Sequence, residues 1–157
     1  MRAILTVGIP ACGKSTYAAT LGARGVLEVN RDALRRQIGG EPGVPRVEAA
    51  VTRLARRALA EAARSGRDVI VSDTNLTRRG RKDLVRYLRK LGYDRVEAHV
   101  LDVPLAECLA RNAARPDRVP EPALRRMYDR FRLQPPWASD GFDAILDVEG
   151  VAGDGGV

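Results

Sequence analysis

The sequence predicts an α/β domain in which a parallel sheet is flanked by helices. Short apolar runs alternate with segments whose apolar residues recur at helical spacing, and this alternation is typical of parallel sheets. The first apolar run, 4–7, leads directly into a glycine-containing loop and then a helix-forming segment. A chain of 157 residues with 45% hydrophobic content suits a single core. We expect one domain at residues 1–150 and a flexible tail at residues 151–157.

Each later element has its own sequence signal. Compact apolar runs predict strands at 26–29, 68–72, 96–101 and 142–148. Helical periodicity predicts helices at 31–38, 47–64, 77–91, 105–114 and 123–133. The Gly and Pro residues of 39–45 indicate a break in the chain. Thr77 can cap the helix that it precedes, and Gly92 is placed to end that helix.

The composition favours a cytoplasmic protein with a polyanionic partner. The 27 Lys and Arg residues exceed the 20 Asp and Glu residues and give a net charge of +7, which suits nucleic acid. The preference for Arg over Lys can equally record the base composition of a genome. Cys12 and Cys108 lack metal-ligand spacing, so we interpret both as reduced thiols. The sequence shows no secretory signal and no run near the roughly 20 apolar residues that span a bilayer, so no membrane partner is expected.

The segment after the first strand matches the pattern GxxxxGK[ST] at every fixed position. Its glycines let backbone N–H groups converge on phosphate oxygens, and the following helix presents its positive N-terminus. Lys14 would reach the β- and γ-phosphates, and Ser15 would ligate Mg²⁺. The sequence therefore predicts a P-loop that binds ATP or another nucleoside triphosphate together with Mg²⁺. The residues predicted to bind the nucleotide are Gly8, Ile9, Pro10, Ala11, Cys12, Gly13, Lys14, Ser15 and Thr16.

Polar residues also follow the second and third predicted strands. Asp32 and Arg35 share one face at a helix start, and Asp73 ends an apolar strand. Ligands bind beyond the carboxyl ends of parallel strands, so these residues and the P-loop should face one crevice. Two structural alternatives remain open. Asn30 can cap a helix in which Asp32 favours the helix dipole and Arg35 is solvated, and Asp73 can build a turn with the two residues after it.

A third candidate segment lies near the end of the 105–114 helix. Arg111 and Arg115 are four residues apart and share a helical face. They form either a basic helix end favoured by the dipole or a lid that brings Arg to a transferring phosphoryl group.

Taken together, these segments resemble the phage-type 5′-hydroxyl polynucleotide kinase family, the kinase domain of polynucleotide kinase/phosphatases. The matching segments occur in the same order and extend from the first strand to about Arg132. They are 8–16, Asn30-Arg31-Asp32 with Arg35, 71–76, Asp102-Val103-Pro104, Arg111-Asn112 with Arg115, 119–120, and 124–128.

The resemblance implies a P-loop NTPase fold like that of adenylate kinase, with a small helical lid, and it assigns roles to individual residues. Asp32 would be the general base toward the 5′-hydroxyl of DNA or RNA, and Arg35 would contact the nearest substrate phosphate. Asp73 would organise the site around Arg35 and the metal. Arg115 would be a lid arginine on the donor phosphates, and Arg111 would lie near the adenine.

The resemblance also implies a set of metal ligands and a set of catalytic residues. Ser15 would ligate Mg²⁺ directly, whereas Asp32 and Asp73 would contact the ion through water. Lys14, Asp32, Arg35 and Arg115 would form the catalytic set. An Asp of ordinary acidity can serve as the base, because phosphoryl transfer through a loose transition state depends mainly on positioning and charge neutralisation.

Two other functions fit parts of the pattern. A kinase of a small alcohol such as a nucleoside, sugar or antibiotic would share the P-loop, Asp32 and Asp73, although the basic composition and Arg35 favour a polynucleotide. An ATP-hydrolysing switch or motor is disfavoured, because Thr74 stands where a second acidic residue would activate water.

The remaining conspicuous residues have structural interpretations. His99 is expected to pack or lie at the surface, and Trp137 to anchor a loop. A solvated helix face is expected for Arg78, Arg79, Arg81 and Lys82, and their position just after Asp73 leaves contact with nucleic acid as an alternative.

Overall fold

Five parallel strands form one sheet in the computed structural model, which describes residues 1–149. The tail predicted at 151–157 lies outside the described residues. The strands are β1 (Arg2–Val7), β2 (Leu27–Val29), β3 (Val69–Val71), β4 (Arg95–Val100) and β5 (Ala144–Asp147). The helices are α1 (Lys14–Gly22), α2 (Arg31–Gln37), α3 (Pro45–Arg64), α4 (Arg78–Lys90), α5 (Leu105–Ala113) and α6 (Glu121–Leu133). A turn of 3₁₀ helix follows at Ala138–Asp140.

The strand order is β2-β3-β1-β4-β5, with β1 at the centre. The register pairs Leu5 of β1 with Val71 of β3, and Val71 with Val29 of β2. The segments that leave the carboxyl ends of β1, β3 and β2 are therefore neighbours at one edge of the sheet. This arrangement confirms the predicted parallel α/β fold.

Alternation along β1 divides the core between the two faces of the sheet. Ile4 packs in a cluster with Ala18 and Leu21 of α1. Leu5 belongs to the larger cluster on the opposite face, to which Leu59 of α3 and residues of α4, α5 and α6 contribute. The helix that follows the P-loop thus lies on one face, and the helices that follow β2, β3 and β4 cover the other.

The predicted boundaries of these elements are correct to within two residues, and two helices begin two residues earlier than expected. The break predicted at 39–45 ends sooner, because α3 begins at Pro45, where proline has a favourable φ and lacks the N–H that would be unpaired at a first helical position. α6 likewise begins at Glu121 and carries a proline in its first turn. The predicted cap of α4 is confirmed, since Thr77 Oγ1 accepts the Gly80 N–H at 3.2 Å.

His99 packs in the core as expected, whereas Trp137 does not pack as expected. His99 is buried in the sheet, where Nδ1 lies 2.6 Å from the Tyr17 hydroxyl and Nε2 lies 2.9 Å from Glu97, so its packing role is confirmed. Trp137 is 59% exposed, and the expectation that its ring anchors a loop is wrong. Its backbone N–H, rather than its indole, attaches it to the fold by donating to Asp140.

The prediction that Arg81 lies on a solvated face is also wrong. Its side chain is completely buried, and Nε donates to Asp140 at 2.8 Å. The guanidinium also donates to the backbone carbonyls of Asn75, Leu76 and Pro135 at 3.0–3.1 Å. Arg81 therefore joins the loop after β3 to the segment after α6. Its carboxylate partner is 59 residues away along the chain, so local periodicity gave no sign of it.

Replacing Asp140 with Ala should lower the free energy of unfolding by about 3–5 kcal/mol, because it leaves the buried Arg81 charge without its carboxylate. The matched control is Asp83→Ala, which removes the half-exposed partner of Arg79 and Arg86 and should cost less than about 1 kcal/mol. Urea unfolding measures both values. Equal losses in the two variants would contradict a structural role for the buried pair.

Candidate active site

The glycines of the P-loop are required by its geometry. A Cβ at Gly8 would lie 2.7 Å from Cys12 Sγ and 3.0 Å from the Leu101 carbonyl oxygen, so a side chain does not fit there. Gly13 has φ +98°, in the left-handed region that glycine adopts without steric cost. The two fixed glycines of the motif therefore allow a tight loop between β1 and α1.

The start of α1 fits a bound phosphate and its metal. Gly13 provides no side-chain cap, which leaves the first N–H groups of the helix available to an anion. Lys14 Nζ donates to the Ile9 carbonyl oxygen at 2.7 Å, so its ammonium lies over the loop. Ser15 is exposed in the first turn of α1, where its hydroxyl can reach an ion bound to the phosphates.

The described residues fit a magnesium ion held mainly by phosphate oxygens. Within residues 1–149, no three His, Cys, Asp or Glu side chains come together as a metal-binding group. Mg²⁺ commonly takes only one or two protein ligands and completes its shell with water and substrate phosphates. Ser15 would hold the ion directly, with Asp32 and Asp73 near its water shell, and the ion would offset charge on the β- and γ-phosphates.

The ends of β2 and β3 are joined by side chains. Asn30 caps α2, since its Oδ1 accepts the Ala33 N–H at 2.8 Å, while its Nδ2 donates to Ser72 Oγ at 3.0 Å. Asp73 Oδ1 accepts the Arg31 N–H at 2.9 Å. The capping role of Asn30 is therefore confirmed, and the Asp73 carboxylate bonds across the sheet edge to the start of α2.

Glu48, in the first turn of α3, is a site residue that the sequence did not predict. Its carboxylate accepts from Arg35 Nε and Nη2 at 2.9 and 3.0 Å and from Arg31 Nη2 at 3.0 Å. These hydrogen bonds, chiefly the pair from Arg35, lower the pKa of Glu48 to about 2. The available signal was Arg31 and Arg35 on one face of α2, since two neighbouring cations need an acidic partner when they are partly buried.

Arg35 also holds Asp32, and the two side chains differ in exposure. Arg35 Nη1 donates to Asp32 Oδ1, so one guanidinium connects Glu48 to Asp32. The Arg35 side chain is 12% exposed, whereas that of Asp32 is 74% exposed. The alternative in which Arg35 is a solvated residue is wrong. This arrangement presents an oriented, accessible carboxylate at the carboxyl end of β2.

Asp73 is partly buried behind this pair. Desolvation raises its pKa to about 6, against the opposing effect of the Arg31 N–H and the Arg31 charge. Its backbone carbonyl accepts from Thr6 Oγ1 at 2.8 Å and from Asn75 Nδ2 at 3.2 Å. These bonds attach the loop after β3 to β1, immediately before the P-loop.

The segment between α5 and α6 forms a closed loop over residues 114–120. Buried Asn112 holds its two ends together, because Nδ2 donates to the Val119 carbonyl at 2.7 Å and Oδ1 accepts the Val119 N–H at 3.0 Å. Arg115 lies on this loop, where Nε is 3.7 Å from Asp117 Oδ1. Because α5 ends at Ala113, the expectation that Arg111 and Arg115 share a helical face is wrong, and Arg115 lies on a short loop between two helices.

Arg111 lines a cleft beside the P-loop. The cleft has a volume of about 610 Å³ and is bounded by Cys12, by residues 100–104, by Glu107 and Arg111 of α5, and by residues 147–149. Arg111 Nη2 donates to Glu107 Oε1 across one turn of α5. The position next to the P-loop makes this cleft a suitable place for the base and sugar of a nucleotide.

The chain is similar in sequence to a known family and to a viral protein. The chain matches the family described as AAA domain over residues 4–134. A protein named as a bifunctional polynucleotide kinase/RNA ligase, from Autographa californica nuclear polyhedrosis virus, is 27% identical over 82% of this chain and 20% of its own length. The chain therefore spans about a fifth of that relative. The resemblance to polynucleotide kinases seen in the sequence is confirmed.

Solved structures share the fold at low sequence identity. A chain of the Pnkp1/Rnl/Hen1 RNA repair complex superposes with a TM-score of 0.77 at 23% identity, covering 90% of this chain and 46% of that one. A gluconokinase from Sinorhizobium meliloti 1021 gives a TM-score of 0.59 at 18% identity and covers 94% of this chain and 83% of that one. These likenesses confirm the P-loop kinase fold. None of the helices in residues 1–149 has the length and apolar character of a membrane span.

Replacing Asp73 with Asn should change how stability depends on pH. The pKa of Asp73 is raised to about 6 in the folded protein, above the value of about 3.9 expected in the unfolded chain. The folded protein therefore binds the Asp73 proton more tightly than the unfolded chain does. The resulting stabilisation is complete below about pH 4 and is lost as the pH rises through about 6. Urea unfolding in EDTA should show the wild type losing stability relative to Asp73→Asn across this interval. A constant difference between the two proteins would contradict the raised pKa.

Proposed function

The chain belongs to the AAA domain family and has the P-loop kinase fold, and we propose that it is an ATP-dependent polynucleotide 5′-hydroxyl kinase. It would transfer the γ-phosphoryl group of a nucleoside triphosphate to the 5′-hydroxyl of DNA or RNA, as a step in nucleic-acid repair. The observation that carries this proposal is the exposed Asp32 carboxylate, oriented by Arg35 at the same sheet edge as the P-loop.

The P-loop, Arg111 and Arg115 would bind the phosphate donor. Backbone N–H groups at the start of α1 would hold the phosphates, and Lys14 would exchange the Ile9 carbonyl for β- and γ-phosphate oxygens. Arg111 would border the adenine in the neighbouring cleft. Arg115 would approach the transferring phosphoryl group by movement of the 114–120 loop, which Asn112 closes at its base.

Residues of α2 would bind and activate the acceptor. Asp32 would accept the proton of the attacking 5′-hydroxyl, and its high exposure leaves its carboxylate accessible to a substrate. Arg35 would keep its Nε and Nη2 hydrogen bonds to Glu48 and its Nη1 bond to Asp32, and the second N–H of Nη1 would donate to the first phosphate of the polynucleotide. Glu48 is a positioning residue in this scheme, because it fixes the guanidinium that orients both the base and the substrate.

The relatives support a polynucleotide acceptor without deciding it. The viral relative is named for polynucleotide kinase and RNA ligase activities, and one structural match belongs to an RNA repair complex. The gluconokinase match favours the second candidate, a kinase of a small alcohol. Charge favours the polynucleotide, because the chain carries a net charge of +7 and the Arg35 guanidinium can donate a hydrogen bond to a substrate phosphate.

Incubation with γ-labelled ATP distinguishes the two candidates. The protein is given 5′-hydroxyl DNA and RNA oligonucleotides in one reaction and nucleosides, sugars and aminoglycosides in another. We expect label on the oligonucleotide ends, and 5′-phosphorylated oligonucleotides should take up none. Label that enters only the small alcohols would overturn the proposal.

Substitution of Asp32 separates chemistry from donor binding. Asp32→Ala should lower kcat for oligonucleotide phosphorylation by about 10²-fold or more while ATP still binds, because it removes the proton acceptor. Lys14→Ala and Arg115→Ala should each lower the rate by about 10³-fold, because each removes a charge from the donor phosphates.

Arg36→Ala is the matched control for these variants, since Arg36 is an exposed cation on the same helix. It should retain near wild-type transfer. Intact transfer in Asp32→Ala would exclude Asp32 as the base.

Glu48→Gln tests the positioning role. The substitution keeps the side-chain shape but weakens charge-assisted hydrogen bonds to Arg35, and it should raise KM for the oligonucleotide about tenfold while KM for ATP changes little. Glu61→Gln, on the same helix and paired with exposed Arg57, is the control and should leave both constants near wild type. Equal increases in the two KM values would indicate a general structural defect instead.

A further inference from the structure

A cationic groove lies on α4, outside the crevice formed by the P-loop and α2. We call it the α4 groove; it has a volume of about 660 Å³. Its lining consists of Arg78, Arg79, Lys82, Asp83, Arg86 and Gln134. Four of these six side chains are cationic and one is anionic, so the groove suits a negatively charged ligand.

Local ion pairs leave much of this positive charge uncompensated. Asp83 is shared by Arg79 and Arg86, whose side chains remain 95% and 69% exposed at distances of 4.0 and 3.4 Å from it. Arg78 lies 3.2 Å from Asp140, but that carboxylate already pairs with the buried Arg81. Exposed pairs of this kind stabilise weakly and can exchange for phosphate oxygens.

The α4 groove begins at the same sheet edge as the candidate active site. Arg78 is the first residue of α4 and comes five positions after Asp73. Arg79, Lys82 and Arg86 are three and four residues apart, so they lie along one side of the helix over about 10 Å. The row of cations therefore leads away from the crevice, as the later nucleotides of a bound polymer must.

An exposed aromatic residue lies on the segment that flanks the α4 groove. Trp137 is 59% exposed and follows Gln134 by three positions. The segment is held against α4, because Arg78 Nη2 donates to Ser139 Oγ at 2.8 Å and the Arg78 N–H donates to Gln134 Oε1 at 3.0 Å. Cations beside an exposed indole are the two features with which proteins bind single strands, through phosphates and through base stacking.

We propose that the α4 groove binds the sugar-phosphate backbone of a single-stranded polynucleotide downstream of the 5′ end that reacts. The guanidinium and ammonium groups of Arg79, Lys82 and Arg86 contact successive phosphates, and Trp137 stacks on a base. This inference rests on the proposed function and deepens it, because it makes the enzyme favour long acceptors over dinucleotides.

The test compares acceptors of two lengths in a triple variant, Arg79→Gln, Lys82→Gln and Arg86→Gln. The acceptors are a 5′-hydroxyl dinucleotide and a 5′-hydroxyl strand of about 20 nucleotides. The variant should reduce the ratio of kcat/KM for the long strand to that for the dinucleotide by about tenfold or more. The slope of log kcat/KM for the long strand against log salt should become shallower by about 2, since each phosphate contact on a single strand contributes about 0.7.

The matched control removes three other exposed arginines, as Arg57→Gln, Arg64→Gln and Arg67→Gln. These residues lie toward the end of α3 and before β3, at the opposite edge of the sheet from the site. The control lowers the net charge by the same amount and should keep the wild-type length ratio and salt slope. Trp137→Ala should lower kcat/KM for the long strand several-fold and leave kcat/KM for the dinucleotide unchanged.

Binding without ATP distinguishes failure of this inference from failure of the proposed function. Fluorescence anisotropy with a labelled 20-nucleotide strand should show weaker binding for the groove variant than for the control. If the wild type transfers phosphate to oligonucleotides but the groove variant and the control variant bind the strand equally well, the proposed role of the α4 groove is wrong and the kinase assignment is unaffected. Polyglutamate is tested in the same way. If the groove variant binds polyglutamate more weakly than the control variant but binds the strand equally well, the partner of the groove is an acidic protein and the proposal is wrong. Absence of any oligonucleotide transfer by the wild type would overturn the proposed function itself.

Discussion

β1, β3 and β2 pair in parallel, and this pairing fixes where every residue of the candidate site can lie. Leu5, Val71 and Val29 are in register across the three strands. The chain leaves β1 as the P-loop, leaves β3 through Asp73, and leaves β2 through Asn30, all at one edge. The P-loop, Asn30 and Asp73, which are far apart in sequence, are therefore neighbours before any side chain contributes.

Side-chain bonds then convert proximity into an oriented site. The Arg31 N–H to Asp73 bond joins α2 to β3, and Glu48 fixes the guanidinium of Arg35 from α3. Arg35 in turn holds Asp32, which is the most exposed member of the network. Arg35 is the least exposed of the three side chains, at 12%, against 30% for Glu48 and 74% for Asp32. The network therefore leaves the Asp32 carboxylate accessible to solvent.

Local motifs were predictable because their causes are local. The glycine positions of the P-loop follow from a tight turn at residues 8–15, and the Asp32 and Arg35 pairing follows from helical spacing. Glu48 and the Arg81 partner Asp140 were not predictable in the same way. Each acts across elements that meet only after folding, and Arg81 shows how a basic helix face can hide a buried ion pair. The net charge of +7 likewise gave no information on which cations are buried, bridging or exposed.

The central claim is that one crevice holds the triphosphate and the polynucleotide end together. A bisubstrate compound, in which adenosine is joined through a phosphate chain to the 5′ oxygen of a short oligonucleotide, tests it most directly by titration calorimetry. The account predicts one molecule bound per chain, with Kd about 10²-fold or more below that of ATP or of the oligonucleotide alone. Arg35→Ala should remove most of this gain while ATP affinity stays near wild type. Binding no tighter than that of ATP would contradict a shared crevice.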